Sequence, residues 1–366
     1  MNRLIYADNA ATTKMSQAAY EAMMRFQLID FANASQPYSF ARNAKNALKE
    51  ARETIARCIN ASPNEIFFTS CGTESDNWVI KGCKCCKIYT SLIEHHAILN
   101  ACIEVALDGT EVNYMPVNHT GIVEPQVLDG VLTENSLVSI MMANNEIGTI
   151  LPIKQLAKIA HSHHSLFHTD AVQAVGHIPV NVRELDVDFL SASAHKFNGP
   201  KGIGFLYIKD GIKINPLISG GTQENSLRAG TENVASIVAM AIALEENTSR
   251  LEENMKYIQG LEDALIHQLL SLNIKFHKNG AEVKIPGSLS FNGYSGESLL
   301  HRLDLLGICV STGAACDSKN IRISHVLKAI GVDEPLAKGT IRISLGKENT
   351  QEDVNRIVEA LARIVK

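Results

Sequence analysis

One lysine follows a serine and a histidine and precedes a glycine-rich turn in the stretch "SASAHKFNGPKGIGFLYI", residues 191–208. A lysine amine is a useful nucleophile only when its ammonium group is desolvated or when the amine is bonded to a carbonyl carbon. Lys196 follows a run of small and apolar residues that is typical of a buried strand end. Lys201, five residues later, is predicted to be an exposed turn lysine instead.

The commonest cofactor that a protein lysine holds covalently is pyridoxal phosphate, through a Schiff base. Its phosphate needs backbone N–H groups at a helix start together with hydroxyls, its ring nitrogen needs a carboxylate, and its ring face needs a flat partner. The chain offers Gly72 and Thr73 in "TSCGTESDN", Asp170 in "HTDAVQAVG" and His95 in "IEHHAIL". Each motif alone is more often structural, but together and in this order they support one another.

Strand and helix patterns alternate through the first two-thirds of the chain. "EIFFTS", "KIYTSLI", "LVSIMMA", "SLFHTDA", "DFLSASA" and "GIGFLYI" are short apolar runs, and helical patterns such as "PIKQLAKIAHSH" separate them. This alternation predicts a mostly parallel sheet with helices on both faces. Ligands of such sheets bind beyond the carboxyl ends of the strands. The polar residues predicted there are Thr73, His95, Asn145, Asp170, Gln173 and Lys196.

The pattern changes after a long helical stretch at residues 231–272. "GSLSFNG" and "GTIRISLG" are then predicted to be strands, and "GESLLHRLDLLG" and "EDVNRIVEALARIV" helices. A domain boundary is predicted near residue 254, inside the long helix. A length of 366 residues, at roughly 150 per domain, also indicates two domains.

Net charge, apolar runs and cysteine content indicate which partners and which cellular location this protein has. The formal net charge of -5 argues against nucleic acid or an anionic membrane as the main partner. "MNRLIYADNAATT" lacks the apolar core of a signal peptide, and the longest apolar run, "VASIVAMAIAL", is too short to span a bilayer. We expect a cytoplasmic protein whose eight cysteines are thiols. The "CKCC" cluster (Cys83, Cys85, Cys86) lacks paired metal-ligand spacing, so no metal site is predicted.

The motifs together resemble one family. "YADNAATT", "FTSCGTESDN", "EHHAIL", "NNEIGTILPI", "HTDAVQAVG", "SASAHKFNGPKGIGFLYI", "LRAGTENV", "STGAACDS" and "GTIRISLG" are similar, in order, to the cysteine desulfurases of the NifS/IscS type. These belong to the class V aminotransferase group of fold-type I pyridoxal phosphate enzymes. The resemblance covers nearly the whole chain. It implies an α/β fold with a large cofactor-binding domain at residues 15–254 and a smaller α+β domain formed by residues 1–14 and 255–366.

The resemblance also implies roles for individual residues. Lys196 would form the Schiff base, Asp170 would pair with the ring nitrogen, and Gln173 would bond the phenolic oxygen. His95 would stack on the ring and move protons, while Asn145 and Arg342 would bind the substrate carboxylate, for which a planar arginine is well suited. The residues expected to hold the phosphate are Gly72, Thr73, Ser193, His195 and, from a neighbouring subunit, Thr231.

Cys316 in "STGAACDS" would decide the reaction. The small residues around Cys316 are typical of an exposed loop and offer little apolar surface to bury a thiol. Cys309, in "LGICVST", fits a buried position instead. The resemblance implies that the Cys316 thiolate takes the sulfur of L-cysteine, which leaves a persulfide and releases L-alanine. It also implies a homodimer and a protein sulfur acceptor, for iron–sulfur cluster assembly or for thiolation. The sequence does not identify that acceptor.

The chain departs from the family pattern in two places. "GGTQENSLRAGT" has Asn225 and Ser226 where the family often has Arg and Gly, and Tyr38 replaces a usual histidine. Two alternatives stay open. A selenocysteine lyase or another class V enzyme shares most of the motifs, although a transaminase does not need Cys316. A non-catalytic scaffold would be expected to lose the lysine, the ring-pairing acid or the loop cysteine, and this chain has all three.

Overall fold

The computed structural model describes residues 3–282, 285, 287–312 and 323–365. Its β-strands are β1 (Ile5–Tyr6), β2 (Ile66–Thr69), β3 (Lys87–Ser91), β4 (Glu111–Met115), β5 (Leu137–Ser139), β6 (Leu166–Asp170), β7 (Phe189–Ser193), β8 (Gly204–Ile208), β9 (His277–Lys278), β10 (Ser288–Ser290), β11 (Ile308–Cys309) and β12 (Thr340–Arg342).

Its α-helices are α1 (Gln17–Leu28), α2 (Arg42–Cys58), α3 (Gly72–Gly82), α4 (His96–Leu107), α5 (Pro125–Asp129), α6 (Ile153–Ser162), α7 (Val182–Leu185), α8 (Val234–Ser249), α9 (Leu251–Ser271), α10 (Gly296–Asp304), α11 (His325–Ala329), α12 (Glu334–Ala337) and α13 (Gln351–Val365).

A seven-stranded sheet of order β2-β8-β7-β6-β5-β3-β4 forms the centre of the larger part of the fold. Only β8 in this sheet runs antiparallel to its neighbours, β2 and β7. Strands β2, β7 and β8 are buried along their whole length, as expected for a sheet covered on both faces. Their side chains alternate between two apolar cores. Leu190 contributes to one of them and Phe189 to the other. The predicted mostly parallel, doubly covered sheet is therefore confirmed.

A separate apolar core lies in the second part of the chain. It contains Ile5 and Ala7 from the N-terminus together with residues of α9, α10, α13 and β10 to β12. β1 pairs in parallel with β11, and β10 pairs with both β12 and β9. The buried residues of α13 recur at helical spacing, at Val354, Ile357, Val358 and Leu361. The exact division into residues 15–254 and the rest stays a prediction.

The prediction of one continuous helix over residues 231–272 is wrong, because this stretch forms two helices, α8 and α9. Arg250, with φ -119° and ψ 24°, separates α8 from α9, four residues before the predicted boundary. Three polar side chains at the end of α8 bond back to its own carbonyl oxygens: Asn247 to Ala243, Thr248 to Leu244 and Ser249 to Glu246. Such bonds compete with the regular helix and weaken its continuation. The predicted burial of "VASIVAMAIAL" is confirmed for most of its residues.

Lys201 is exposed in a turn, as predicted. Cys83, Cys85 and Cys86 lie in the turn between α3 and β3, and in the described ranges no group of three or more His, Cys, Asp and Glu side chains could hold a metal ion. No helix in the same ranges is long and apolar enough to cross a membrane.

Candidate active site

Three of the predicted site residues meet beyond the carboxyl ends of the parallel strands. Asp170 ends β6, Lys196 follows β7 in a short 3₁₀ turn, and His95 caps the start of α4 just after β3. Their charges act on one another, because both Asp170 and Lys196 perturb the pKa of His95. The sheet therefore brings together a lysine, a carboxylate and an imidazole that lie up to 101 positions apart in the sequence, as His95 and Lys196 do.

The Lys196 ammonium is held by the backbone of a segment near the N-terminus. Its Nζ donates to the carbonyl oxygens of Ala10 at 2.7 Å and Ala11 at 2.9 Å. The Gln173 side-chain amide donates to the same Ala10 oxygen at 2.9 Å. We call residues 8–13 the N-terminal segment. It forms one wall of the site, and both Gln173 and Lys196 donate to its Ala10 oxygen.

The carboxyl group of Asp170 is buried, with the residue only 5% exposed. Burial raises its pKa, while the charges of His95 and Lys196 and a hydrogen bond from the Val172 N–H lower it. A buried carboxyl group near the Lys196 ammonium is a suitable partner for a protonated ring nitrogen, because a second positive charge favours the ionised form. Asp170 thus fits the ring-pairing role.

The opposite end of the site offers donors for a phosphate. α3 begins at Gly72 with no side-chain cap on its first N–H groups. A Cβ atom at Gly72 would lie 2.5 Å from Cγ2 of Val172 and 3.7 Å from Cβ of Ser193. The Ser193 hydroxyl is buried and has no hydrogen-bond partner among the described residues. An uncapped helix start next to a buried, unpaired hydroxyl fits the phosphate of pyridoxal phosphate.

His195 and Thr73 have different surroundings at this end. His195 Nδ1 lies 3.1 Å from Thr12 Oγ1, and burial lowers the pKa of the ring to about 4, so the ring is neutral at pH 7. A neutral imidazole can still donate one hydrogen bond to a phosphate. Thr73 is exposed in the first turn of α3, where its hydroxyl is accessible to a ligand.

His95 is held in one orientation by its own helix. Its Nδ1 accepts a hydrogen bond from the Ala97 N–H at 3.1 Å. Burial lowers the pKa of the ring, the charges of Lys196 and His96 lower it further, and Asp170 opposes them. Because Nδ1 accepts, the neutral ring carries its proton on Nε2. His95 therefore presents an N–H group, and a proton can pass through the ring only when the bond from Ala97 breaks.

The predicted substrate-binding pair also meets. Arg342, at the end of β12, donates through Nη1 to the backbone oxygen of Asn145 at 2.9 Å. Its Nη2 donates to Asp8 Oδ1 at 2.7 Å, and the arginine side chain is only 6% exposed. Its Nε is buried without a partner among the described residues. That unused donor beside Nη2 leaves one edge of the guanidinium group for a carboxylate.

Two predicted residues are not placed in this site. Cys316 lies outside the described residues, so its role stays a prediction. Thr231 is exposed, in the loop that follows Arg228, and that loop contacts α3 through an ion pair between Arg228 and Glu74 at 2.8 Å. Its expected contact with a neighbouring subunit is a proposal that a single chain leaves untested.

The sequence interpretation missed several contributors. The N-terminal segment provides the carbonyl oxygens of Ala10 and Ala11, the Thr12 hydroxyl and the Asp8 carboxylate. The motif "YADNAATT" could identify this segment only through its resemblance to the family. A contact made by a backbone carbonyl does not depend on residue type, so the residue types alone do not predict it. Buried acids were also missed. Glu94 and Glu146 are both buried, and each follows or precedes a predicted site residue directly after an apolar strand pattern, where an acid is unusual.

Comparison with known proteins identifies the family. Residues 5–357 match the family described as Aminotransferase class-V. The chain belongs to this family. It is 48% identical over 376 residues to a protein named cysteine desulfurase IscS from Dictyoglomus turgidum, covering all of this chain and 95% of that one. It is 45% identical over 375 residues to the protein of the same name from Methanosarcina thermophila, with coverage of 100% and 93%.

The structural comparison agrees with this family. A solved structure described as a NifS-like protein superimposes with a TM-score of 0.93 at 39% identity and covers 99% of both chains. At this identity and coverage the chain lies within the cysteine desulfurases of the class V group. The expected α/β fold of pyridoxal phosphate enzymes is confirmed.

Proposed function

We propose that this cysteine desulfurase binds pyridoxal phosphate at Lys196 and converts L-cysteine to L-alanine, with Cys316 as the sulfur acceptor. One observation carries the proposal. The N-terminal segment contacts Lys196 through Ala10 and Ala11 and contacts Arg342 through Asp8, so the lysine and the arginine lie against the same short stretch of chain. An amino acid with its amino group at Lys196 and its carboxylate at Arg342 would lie along that segment.

The protein side chains have separate tasks in this proposal. Ser193, His195, Thr73 and the first N–H groups of α3 at Gly72 hold the phosphate, with Thr231 of a second subunit. Gln173 bonds the phenolic oxygen, and Asp170 balances the charge on the ring nitrogen. Pyridoxal phosphate, when bound, supplies an electron sink for the pair released at the substrate Cα. His95 would lie on the face of the ring, with its proton on Nε2 because Nδ1 accepts from the Ala97 N–H.

The substrate carboxylate fixes the direction in which the amino acid lies. The free Nε edge of Arg342 and the amide of Asn145 would bind it, and the substrate amino group would then lie towards Lys196. The Ala10 and Ala11 carbonyl oxygens hold Lys196 in its ammonium form. The lysine could therefore keep a proton close to the bound substrate.

Sulfur transfer balances without an added oxidant or reductant. The Cys316 thiolate attacks the substrate sulfur, an S–S bond forms, and the substrate C–S bond breaks with its electron pair left on carbon. That carbon is protonated and L-alanine leaves. Cys316 keeps a persulfide, and a thiolate of an acceptor protein takes the outer sulfur in a second exchange.

We further propose a homodimer, a protein sulfur acceptor that serves iron–sulfur assembly or thiolation, and a cytoplasmic location without a membrane or nucleic acid partner. The names of the IscS relatives support the acceptor. All of the described cysteines are free thiols, which fits a reducing compartment. The domain division at residue 254 is proposed on the separate core of the second part of the chain.

The deciding experiment uses purified protein supplied with pyridoxal phosphate. We expect a visible absorption band and, with L-cysteine and a thiol reductant, equal amounts of sulfide and alanine. Cys316→Ala should lose sulfide release. Cys309→Ala is the matched control, because Cys309 is half-buried in the short strand β11 and should keep full activity. A band without sulfide, or full sulfide release by Cys316→Ala, would favour the transaminase or selenocysteine lyase alternatives.

A further inference from the structure

A second acid lies beside the substrate-binding arginine, and the proposed reaction does not use it. Glu146 follows Asn145, whose carbonyl oxygen accepts from Arg342, and the residue is only 5% exposed. Ser324 donates a hydrogen bond to its carboxyl group. The other carboxyl oxygen, Oε2, is buried without a hydrogen-bond partner among the described residues. A buried carboxylate oxygen without a donor is costly, whereas the neutral acid is tolerated more easily.

Hydrogen bonds at several positions hold the turn that carries Glu146. Asn144 Oδ1 accepts from the N–H groups of Glu146 and Ile147. Ala281 N–H donates to Thr149 Oγ1, and Ile285 N–H donates to the Gly148 oxygen. Glu146 therefore lies at the contact between the sheet core and the second part of the chain, where its charge must be balanced locally.

Without a substrate, the Asp8 carboxylate already balances the positive charge of Arg342. Arg342 forms its 2.7 Å ion pair with Asp8, and Glu146 is a second acid acting on the same guanidinium group. Burial raises the pKa of Glu146 to about 7, although Ser324 and Arg342 both lower it. Ser324 and Arg342 are the polar and charged groups that act on Glu146, and Asp8 acts through Arg342. A substrate carboxylate would add a third negative group to one positive group.

We infer that Glu146 takes up a proton from solvent when a carboxylate binds to Arg342 and releases it when the ligand leaves. Asp8 is a poorer candidate for this proton, because its side chain is 19% exposed and is held at 2.7 Å by Arg342. The unpaired Oε2 of Glu146 is where the proton would lie. The protein would thus avoid burying two uncompensated negative charges when its substrate arrives.

This inference rests on the proposed function, because it takes Arg342 as the site of the substrate carboxylate. It predicts that carboxylate binding weakens as pH rises above 7, since the proton becomes harder to obtain. A purely structural Glu146, which only anchored Ser324, would affect stability and leave proton uptake unchanged. Proton uptake on ligand binding therefore separates the two roles.

The probe is 3-mercaptopropionate, which is cysteine without its amino group and cannot form a covalent link through nitrogen. Its binding to the holoenzyme is followed by titration calorimetry in two buffers of different ionisation enthalpy, at pH 7 and pH 8. We expect wild type to take up about half a proton per site at pH 7 and closer to one at pH 8. Glu146→Gln, which keeps the side-chain shape, should take up none and should bind with little dependence on pH.

The matched control is Glu262→Gln. Glu262 is also buried and also has an unpartnered Oε2, but it pairs with Lys278 in the other core. This variant should take up protons like wild type. If Glu146→Gln takes up as many protons as wild type, the inference is wrong while the proposed function stands. If wild type does not bind the probe, or if Arg342→Lys binds it equally well, the carboxylate site itself is misassigned and both proposals fail.

Discussion

Lys196 and Arg342 both contact the N-terminal segment, but different parts of the fold position them. Lys196, Asp170 and His95 follow three strands of one sheet and share the large core. Arg342 belongs to β12 of the second core, and its partners Asn145 and Asp8 come from the sheet side and from the N-terminal segment. The side chains of the cofactor side thus come from one sheet, with only backbone contacts from the N-terminal segment to Lys196 and Gln173, whereas the side chains of the substrate side come from two parts of the fold.

This difference has a consequence for substitutions. A change on the cofactor side should alter cofactor binding and chemistry together, because its residues are placed by the same strands. A change on the substrate side should alter affinity for the amino acid and leave the cofactor in place. The predictions below test this separation, beginning with the largest expected effect.

Lys196→Ala should remove the covalent attachment point. We expect loss of the visible band of the bound cofactor and a fall in L-cysteine turnover on the order of 10³-fold or more. The band and alanine formation would both be measured. Lys201→Ala, which changes the exposed turn lysine five residues later, should behave like wild type. A Lys196→Ala protein with an intact band would show that another lysine holds the cofactor.

Glu94→Gln tests a buried acid on the cofactor side on which, unlike Glu146, no cation among the described residues acts. Burial raises the pKa of Glu94 to about 8, while hydrogen bonds from Ser91 and the Met141 N–H lower it and Asp170 raises it further. Above pH 4.5 the unfolded chain is ionised and the folded chain stays protonated, so wild-type stability falls as pH rises to about 8.

The glutamine variant lacks this titration, so its stability should not fall in the same way. Between pH 5 and pH 8 the unfolding free energy of the variant minus that of wild type should increase by about 3 kcal/mol. Urea unfolding followed by the fluorescence of Trp78, the single tryptophan and fully buried, would measure it. An equal pH dependence in both proteins would mean that Glu94 is ionised in the folded state, contrary to this account.

Arg342→Lys tests the substrate side. Lysine keeps the charge but lacks the planar pair of donors, and charged hydrogen bonds contribute about 1.5–3 kcal/mol. We expect the KM for L-cysteine to rise about 10- to 100-fold, with the cofactor band unchanged. Steady-state kinetics and an absorption spectrum would measure both. Arg302→Lys, at an exposed site bonded to the Ile364 oxygen, is the control. Loss of the band in Arg342→Lys would contradict the separation of the two sides.

The difference between the cofactor side and the substrate side also explains which features the sequence could predict. The strand ends that carry Asp170 and Lys196 were predictable, because apolar runs and the small or polar residues that close them are local patterns. The spacing of Val354, Ile357 and Leu361 likewise identifies α13. The ion pair between Asp8 and Arg342 joins residues 334 positions apart, and no local pattern predicts it. The break at Arg250 was missed because its cause is a set of side-chain bonds to carbonyl oxygens.

The smallest expected effect concerns the loop that precedes Thr231. Glu224, Asn225 and Ser226 are three consecutive residues with left-handed backbone angles, and the φ of Ser226 is 65°. Serine is strained there, whereas glycine, the residue often found in the family, is not. Arg52 fixes this turn through a 2.6 Å ion pair with Glu224, so the strain is not relieved by movement of the loop.

Ser226→Gly should therefore stabilise the chain by about 1 kcal/mol, because the removed strain exceeds the extra entropy of glycine in the unfolded chain. Thermal unfolding would show a small rise in Tm. Asn225→Gly is the matched variant at φ 56°, and it should gain less, because asparagine tolerates this conformation better than serine does. If Ser226→Gly lowers Tm, the serine hydroxyl makes a contact worth more than the strain, and the loop near the proposed subunit contact depends on it.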